Sequence, residues 1–274
     1  MPSHQLKKQI RLVTICLMTT LGASMPAWAI DCTKANDAID KRICGDAGLK
    51  AADTAMGQAY SAILKTAPDA EVRSMLINSQ RRWVAARNEW FSSNPGDRPL
   101  PLSVLRKAIT ERTAGLADRS DKGFVAQAVA QRGFLTKYTG GAFSGFDTSC
   151  EFIPNDNKQT SFSYQCTAAV HVQNKDRVCS LSTEFASWAL YQYYAVSTVA
   201  GEQAKPAAFC GDQSGDVCEN GKGGGWDLSP DANHFPAPKN DLPKLDTEAN
   251  WPLGETDATW FGQCLTSPTY PPAQ

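Results

Sequence analysis

Hydrophobic residues recur at helical spacing through the first 120 residues of the chain, and apolar and polar residues alternate in stretches beyond them. Within residues 46–67, one stripe at helical spacing is formed by Leu49, Met56, Tyr60, Ile63 and Leu64. Such stripes are typical of helices that bury one face. Similar spacing predicts a third helix that ends near Phe91, and a fourth whose inward face carries Leu105, Ile109 and Leu116.

Capping and breaking residues predict where these helices begin and end. A short helix is expected from about Asp37 to Cys44, with Asn36 or Asp37 as its N-cap and Gly45 at its end. Three further residues are expected to bound the later helices: Asp46 and Ser103 as N-caps, and Pro68 as a break.

The second half of the chain favours β-structure. Its strand-like stretches are rich in β-branched and aromatic residues and are separated by polar turn clusters. They predict three or four antiparallel strands, after a helix near 124–131, and an irregular segment beyond residue 205. The stretches cover 142–153, 160–172, 178–185 and 188–199. The expected fold class is α+β, with a small disulfide-stapled helical bundle followed by an antiparallel β domain with long stapled loops.

The first 29 residues read as a secretory signal peptide. A basic start (Lys7, Lys8, Arg11) precedes an apolar run and then Ala27-Trp28-Ala29, a small-x-small motif that predicts cleavage after Ala29. The apolar run is short for a membrane span, so no anchor is expected after cleavage. The mature protein is therefore expected in the periplasm or outside the cell.

Eight cysteines remain after the predicted cleavage, and an even number in an exported chain indicates disulfides rather than a metal site. They are Cys32, Cys44, Cys150, Cys166, Cys179, Cys210, Cys218 and Cys264. A Cys32–Cys44 bond would hold the first short helix, which is too short to persist alone. Cys210 and Cys218 are near neighbours and are expected to pair, and the remaining connectivity stays open. The sequence indicates no cofactor and no metal.

Composition and charge suggest two domains and exclude one class of partner. Residues 30–120 are expected to form the helical domain and 121–274 the β domain. Acidic residues number 28 and basic residues 27 in the full chain, and three of the basic residues lie in the leader. Because no part of the chain is strongly basic, nucleic acid is not an expected partner.

The first half resembles the N-terminal domain of LprI-type lysozyme inhibitors over residues 31–117. The resemblance rests on an Asp-Cys start, a short helix that ends in Ile-Cys, and a Gln-Arg-x-Trp signature followed by Arg-Asn. Those positions are Asp31-Cys32, Lys41, Ile43-Cys44, Leu49, Asp53, Tyr60, Gln80 to Trp83, Arg87-Asn88, Leu105, Arg112 and Leu116. Members of the family commonly carry a second cysteine pair, where this chain has Trp90 and Val104.

The resemblance implies a periplasmic protein that binds lysozyme or another envelope hydrolase and has no catalytic residues of its own. A polar and aromatic set on the second and third helices is the candidate binding patch: Asp53, Tyr60, Gln80, Arg81, Trp83 and Arg87. The structural alternative is a core tryptophan with an Asp–Arg pair. If these two helices form an antiparallel hairpin, Asp53 would lie close to Arg81 and Arg82.

The β domain carries an alternative function, as an enzyme or a binder of small ligands or glycans from the cell envelope. His171 lies in an alternating strand and His234 in a loop, and no nucleophile motif accompanies either. Asp212, Ser214 and Asp216 hint at calcium but fit the EF-hand template poorly. A pocket around His171 or around paired carboxylates would favour this alternative. A structural or stress role in the envelope also stays open.

Overall fold

The computed structural model describes residues 29–92, 100–156, 161–186, 189–211, 225–231, 237–249 and 255–270. Residues 1–28 of the predicted signal peptide, His234 and the stretch around Asp212 lie outside these residues. Four helices open the fold: α1 (Ala38–Gly45), α2 (Ala47–Thr66), α3 (Ala70–Ser92) and α4 (Leu102–Ala117). A fifth, α5 (Phe124–Leu135), leads to the sheet and confirms the helix expected there.

The helix starts follow the expected caps, with one exception. Asp37 accepts a 2.8 Å hydrogen bond from the N–H of Asp40 at the start of α1, and Asp46 accepts one of 2.8 Å from Leu49 in α2. The prediction of Ser103 as the cap of α4 is wrong, because the helix begins at Leu102 after Pro101. The carbonyl of Pro101 accepts the first N–H groups, and the fixed φ of proline suits a helix start.

Helix α2 packs most closely against α4 rather than forming a tight hairpin with α3. The expected proximity of Asp53 to Arg81 and Arg82 is therefore wrong. The Asp53 carboxylate instead lies 3.6 Å from the guanidinium of Arg87, one and a half turns further along α3. Arg82 turns toward the C-terminal part of the chain.

The sheet is a five-stranded antiparallel meander in the order β1-β2-β3-β4-β5. Its strands are β1 (Gly145–Pro154), β2 (Phe162–Asn174), β3 (Arg177–Ala186), β4 (Ala189–Ala200) and β5 (Gln203–Cys210). The expected three or four strands are confirmed, and β5 was missed. Pro206 lies opposite Ser197, where the β4–β5 register shifts. Proline is tolerated there because β5 is an edge strand.

The two faces of the sheet have different coverings. The inner face carries large apolar residues and packs against α6 (Glu255–Thr266), where the ring of Trp260 meets that of Tyr194 edge-on at 4.8 Å. The expectation of an irregular C-terminal segment is wrong at α6, which the apolar cluster Trp260, Phe261, Leu265 ties to the sheet. The outer face carries small and polar residues, including Ala169, Ser180 and Ser182.

Disulfides form in both halves of the described chain. Cys32 pairs with Cys44 across α1, Cys150 with Cys166 between β1 and β2, and Cys179 of β3 with Cys264 of α6. Cys210 is also disulfide-bonded, while Cys218 lies outside the described residues. The α+β class with a stapled helical bundle is therefore confirmed, and disulfide-rich chains of this kind are typical of exported proteins.

One hydrophobic core joins the helices to the sheet. Phe152 and Phe162 of the first two strands, together with Leu245, belong to the same buried cluster as the helical core. Phe152 meets Phe91 of α3 edge-on at 5.2 Å. Because this core is shared, the predicted boundary at residue 120 between two domains stays a prediction. Within the described residues, no helix has the length and apolar character needed to cross a membrane.

Candidate functional site

A short acidic turn near the C-terminus inserts between the helices and the sheet. It contains Asp246, Thr247 and Glu248, and a 3₁₀ turn over Thr247–Ala249 shapes it. Asp246 and Thr247 are buried, and the Glu248 side chain is 5 % exposed. Two buried carboxylates in an apolar setting need cationic partners, since an unpaired buried charge is costly.

Two arginines of the helical bundle supply those partners. The guanidinium of Arg82, on α3, donates 2.8 Å hydrogen bonds to both Asp246 and Glu248. Arg112, on α4, donates to Glu248 at 2.6 Å and is 4 % exposed in its side chain. Its other nitrogens donate to Gln80 at 2.9 Å and to Ser79 at 2.7 Å. Glu248 therefore bridges two helices that are far from it in sequence.

Helix α5 secures the same turn through Gln131, which is fully buried. Its amide nitrogen donates to the carbonyl of Asp246 at 2.7 Å, and its amide oxygen accepts from the N–H of Asp246 at 3.0 Å. Three helices thus hold one C-terminal turn in place, which makes the site rigid.

Burial and charge shift the pKa values in this cluster. Burial raises the pKa of Asp246, and the positive charge of Arg82 opposes that effect. Burial acts to lower the pKa of Arg82, but the two carboxylates outweigh it and raise the pKa above its ordinary value. Burial also raises the pKa of the Tyr164 phenol, and the charge of Glu248 adds to the shift. The two arginines and two carboxylates balance in formal charge.

An open groove of about 550 Å³ lies directly above this cluster, which we call the helix–sheet groove. Helix α4 forms one wall and β2 the other, with the acidic turn at the base. The residues that line it include Trp83, Glu111, Arg112, Gly115, Phe124, Tyr164, Gln165 and Glu248. Arg112 lies 5.2 Å from the ring centre of Phe124, which places a cation over an aromatic face at the groove wall.

Three of the predicted binding residues form a buried cluster within the helices. Asp53, Trp83 and Arg87 are each less than 5 % exposed. The guanidinium of Arg87 lies 5.8 Å from the centre of the Trp83 ring, as their spacing of four residues on one helix predicts. Burial raises the pKa of Asp53, against opposing effects from the N–H of Ile30 and the charge of Arg87.

The other three predicted binding residues lie apart from that cluster. Gln80 is buried and accepts its hydrogen bond from Arg112, and Tyr60 is buried in the helical core. Arg81 is exposed. Of the six, only Trp83 lines the helix–sheet groove. Most of the six residues therefore make contacts inside the helical bundle, and together they do not form a continuous surface patch.

The ends of the segment between α3 and α4 are held by α1. Arg42 donates hydrogen bonds to the carbonyl of Phe91 and, at 2.6 Å, to that of Leu100. The Cys32–Cys44 bond staples the helix that carries Arg42. At the positions where the resembled family has its second cysteine pair, Trp90 and Val104 pack against the helical core, and Trp90 also contacts Phe162 at 5.9 Å.

Among the described residues, Cys150, Cys166 and Glu248 come close enough together to suggest a metal site. The two sulfur atoms are bonded to each other, so neither is a thiolate that could ligate a metal. The carboxylate of Glu248 is already paired with two arginines. The three residues therefore serve as a disulfide and as part of an ion-pair network.

Sequence reasoning missed Asp246 and Glu248. Arg82 and Arg112 stand within the stretch that carries the family resemblance, but nothing in the local pattern around residues 244–249 indicates arginine partners. Long-range ion pairs leave no periodic signal, so only the folded chain brings these residues together.

The family described as "Lysozyme inhibitor LprI" has a model that matches residues 32–116, about a third of the chain. The match covers α1 to α4 and confirms the resemblance of the N-terminal region, while the second half has no family match. No curated protein and no solved structure matches the chain.

Proposed function

We propose that this protein is an exported inhibitor of lysozyme or of a related envelope hydrolase, since residues 32–116 match the lysozyme-inhibitor family. It acts by binding rather than by chemistry. That match over a disulfide-stapled helical bundle is the observation that carries the proposal.

The helix–sheet groove is the proposed contact surface. The family-matching region contributes Trp83, Glu111, Arg112 and Gly115 to it, so a partner seated there contacts side chains of α3 and α4 directly. Its walls are fixed beforehand by the bonds of Arg82 and Arg112 to the acidic turn. A preorganised surface loses less conformational entropy on binding, which favours affinity.

Export with cleavage after Ala29 completes the proposal. Disulfides in both halves of the chain support an oxidising compartment. Ile30, which would become the first residue, is already anchored: it packs against the helical core, and its N–H bonds to Asp53. The N-terminus of the mature protein would therefore be fixed against the helical bundle.

Titration of the purified mature protein into a lysozyme assay on cell-wall suspensions tests this function. We expect the rate of wall clearing to fall in proportion to added protein and to stop near a one-to-one ratio. Absence of inhibition at a roughly hundredfold excess, where even micromolar binding would be detected, would remove the inhibitor role.

A second measurement separates binding from inhibition. Light scattering of the mixed proteins reports a complex whether or not the active site is blocked. A complex without inhibition would keep the protein-binding role and reject lysozyme activity as its target. Neither a complex nor inhibition, with lysozyme and with other envelope hydrolases, would overturn the proposal as a whole.

A further inference from the structure

A cavity of about 330 Å³ lies on the outer face of the sheet. Among the described residues, none lines both this cavity and the helix–sheet groove. The strand residues below it have small side chains, among them Ala169, Ser182 and Ala195. Pro230, Pro238 and Leu242 from the C-terminal segments lie across them. Because most of the strand residues here have small side chains, these segments leave a space between themselves and the sheet.

Polar atoms without protein partners face this space. Nδ1 of His171 lies 2.7 Å from the hydroxyl oxygen of Ser180, on the neighbouring strand. Among the described residues, neither Nε2 of His171 nor the hydroxyl of Ser197 forms a hydrogen bond. Ser197 is only 3 % exposed and lines the cavity. Because these two groups have no protein partner and lie at the cavity wall, they can bond to water or to a molecule that enters the cavity.

The interior of the cavity carries no formal charge. Desolvation lowers the pKa of His171 to about 4, against the opposing charge of Asp147, so its imidazole is neutral near pH 7. Asp147 and Lys239 also line the cavity, but their side chains are 60 % and 74 % exposed and lie 4.0 Å apart. These two side chains lie at the rim of the cavity, where water solvates their charges and each lies close to the other.

The arrangement of His171 and Ser180 favours binding over catalysis. Ser180 pairs with His171 on one side and with Ala195 on the other, in the middle of the sheet. The backbone N–H groups around it serve the ladders with β2 and β4. They are therefore not available as the oxyanion donors that acyl transfer requires.

From this geometry we propose that the outer-face cavity binds an uncharged molecule of monosaccharide size, with hydroxyl or carbonyl groups along one edge and an apolar group on the other. An N-acetylated hexosamine has this chemistry. Its hydroxyl groups can bond to Ser197 and to Nε2 of His171, and its acetyl methyl can pack against Ala195 or Pro238. The size and the mixed lining match those of small-molecule sites. A charged ligand would lose hydration without gaining a counter-ion inside.

Proton NMR of the imidazole signals of the full mature protein provides the test. The mature chain has two histidines, His171 and His234, so a His171→Gln variant assigns the signals. We expect N-acetylglucosamine to shift the His171 signals saturably. Glucosamine, which carries an ammonium group, and glucuronate, which carries a carboxylate, should bind at least about tenfold more weakly.

Two variants and a control place the ligand in the cavity. Ser197→Ala removes the hydroxyl with little change in side-chain volume, and it should weaken binding about fivefold to tenfold. Ala195→Phe fills the space and should abolish the shift. Ser149→Ala makes the same chemical change at an exposed position of β1, outside the cavity lining, and should leave binding unchanged.

Three outcomes would overturn the proposal: no saturable shift up to the solubility limit of the neutral sugar, equal binding of the charged sugars, or full binding by both cavity variants. Lysozyme inhibition is measured separately and involves other residues. The failure of one proposal therefore does not decide the other.

Discussion

The backbone N–H of Ile30 donates a hydrogen bond of 2.8 Å to Oδ2 of Asp53, a buried carboxylate on α2. The other carboxylate oxygen lies 3.6 Å from Arg87, beyond good hydrogen-bond distance. Cleavage after Ala29 would turn the Ile30 nitrogen into an ammonium group at this position. The hydrogen bond from a neutral N–H to the carboxylate would then become an ion pair at the helical bundle.

We therefore predict that a chain that begins at Ile30 is more stable than one that keeps Ala29 and residues before it. The gain should be about 1 kcal/mol, since the bond already goes to a charged group and cleavage adds charge only at the nitrogen, and chemical denaturation measures it. Asp53→Asn should remove the difference between the two forms. The pKa of Asp53 should also fall on cleavage, because the ammonium favours the carboxylate. Equal stability of the two forms of the wild-type chain would contradict the prediction.

Loss of the Glu248 charge should destabilise the protein strongly. Glu248→Gln removes the carboxylate that pairs with the buried Arg112 and leaves Arg82 with one carboxylate, Asp246. Breaking a buried ion pair from one side costs about 3–5 kcal/mol, so the midpoint of urea unfolding should fall clearly. The matched control is Glu111→Gln on the exposed face of α4, where the Lys107–Glu111 pair contributes only a few tenths of a kcal/mol. Similar losses for the two variants would show that the acidic turn is not a buried ion-pair site.

Removal of the first disulfide should loosen more than α1. Replacing Cys32 and Cys44 together by serine should cost about 3 kcal/mol in the loop-entropy account. Because Arg42 on the stapled helix bonds to the carbonyls of Phe91 and Leu100, amide hydrogen exchange should also rise near these two residues. Arg42→Ala in the disulfide-bonded protein should raise exchange at the same places. Faster exchange confined to α1 would contradict this coupling.

The ion pair between Asp69 and Arg132 predicts a dependence of stability on pH. Asp69 caps α3, and Arg132 on α5 bonds to it at 2.6 Å. This hydrogen bond, with further help from the N–H of Val72, lowers the pKa of Asp69 from 3.8 to about 2. A lowered pKa in the folded state means that the stabilisation is complete above about pH 3.8 and disappears as the pH falls toward 2.

Asp69→Asn keeps a capping side chain but removes the charge, so it isolates this effect. We expect its melting temperature to lie below that of the wild type near neutral pH, and the difference to shrink as the pH falls through this window. Asp121→Asn, at an exposed aspartate, should show no such trend. A gap between wild type and Asp69→Asn that widens on acidification would have the wrong sign.

Filling the helix–sheet groove should block the proposed inhibitor function without unfolding the protein. A β-carbon at Gly115 would meet only the Phe124 ring, at an ordinary contact distance of 3.7 Å, so Gly115→Trp can place bulk at the groove wall. Gly133→Trp on α5 makes the same change where nothing lies within 4 Å. We expect the first variant to lose complex formation with lysozyme at least about tenfold relative to the second. Equal binding by both would place the contact surface elsewhere.

The helical half could be predicted from the sequence because its signals are local. Caps such as Asp37 and Asp46 act within one turn, and the stripe from Leu49 to Leu64 reports a buried face directly. The partner of Asp53 could not be predicted, since it depends on how α2 and α3 cross. The expected hairpin placed Arg81 and Arg82 there, but close packing of α2 against α4 brings Arg87 instead.

The C-terminal half was harder for the same physical reason. Helix α6 lies beyond a stretch rich in glycine and proline, and its apolar residues Trp260, Phe261 and Leu265 are too few to make a long stripe. Strand β5 contains Pro206, which argues against a central strand but is tolerated at the edge. The outer-face cavity arises because small side chains predominate over several neighbouring strands, a property that no single stretch reveals.

The bonds of Glu248 also constrain the order in which the protein can form. Its arginine partners lie 166 and 136 residues earlier in the chain, so α3 and α4 leave the ribosome long before it. Until the last part of the chain has been synthesised, Arg82 and Arg112 lack these carboxylate partners, and the packing of the helices is incomplete. The packing of the family-matching region thus depends on a stretch outside it. A protein truncated before residue 246 would keep the family signature but lose the carboxylates that pair with Arg82 and Arg112.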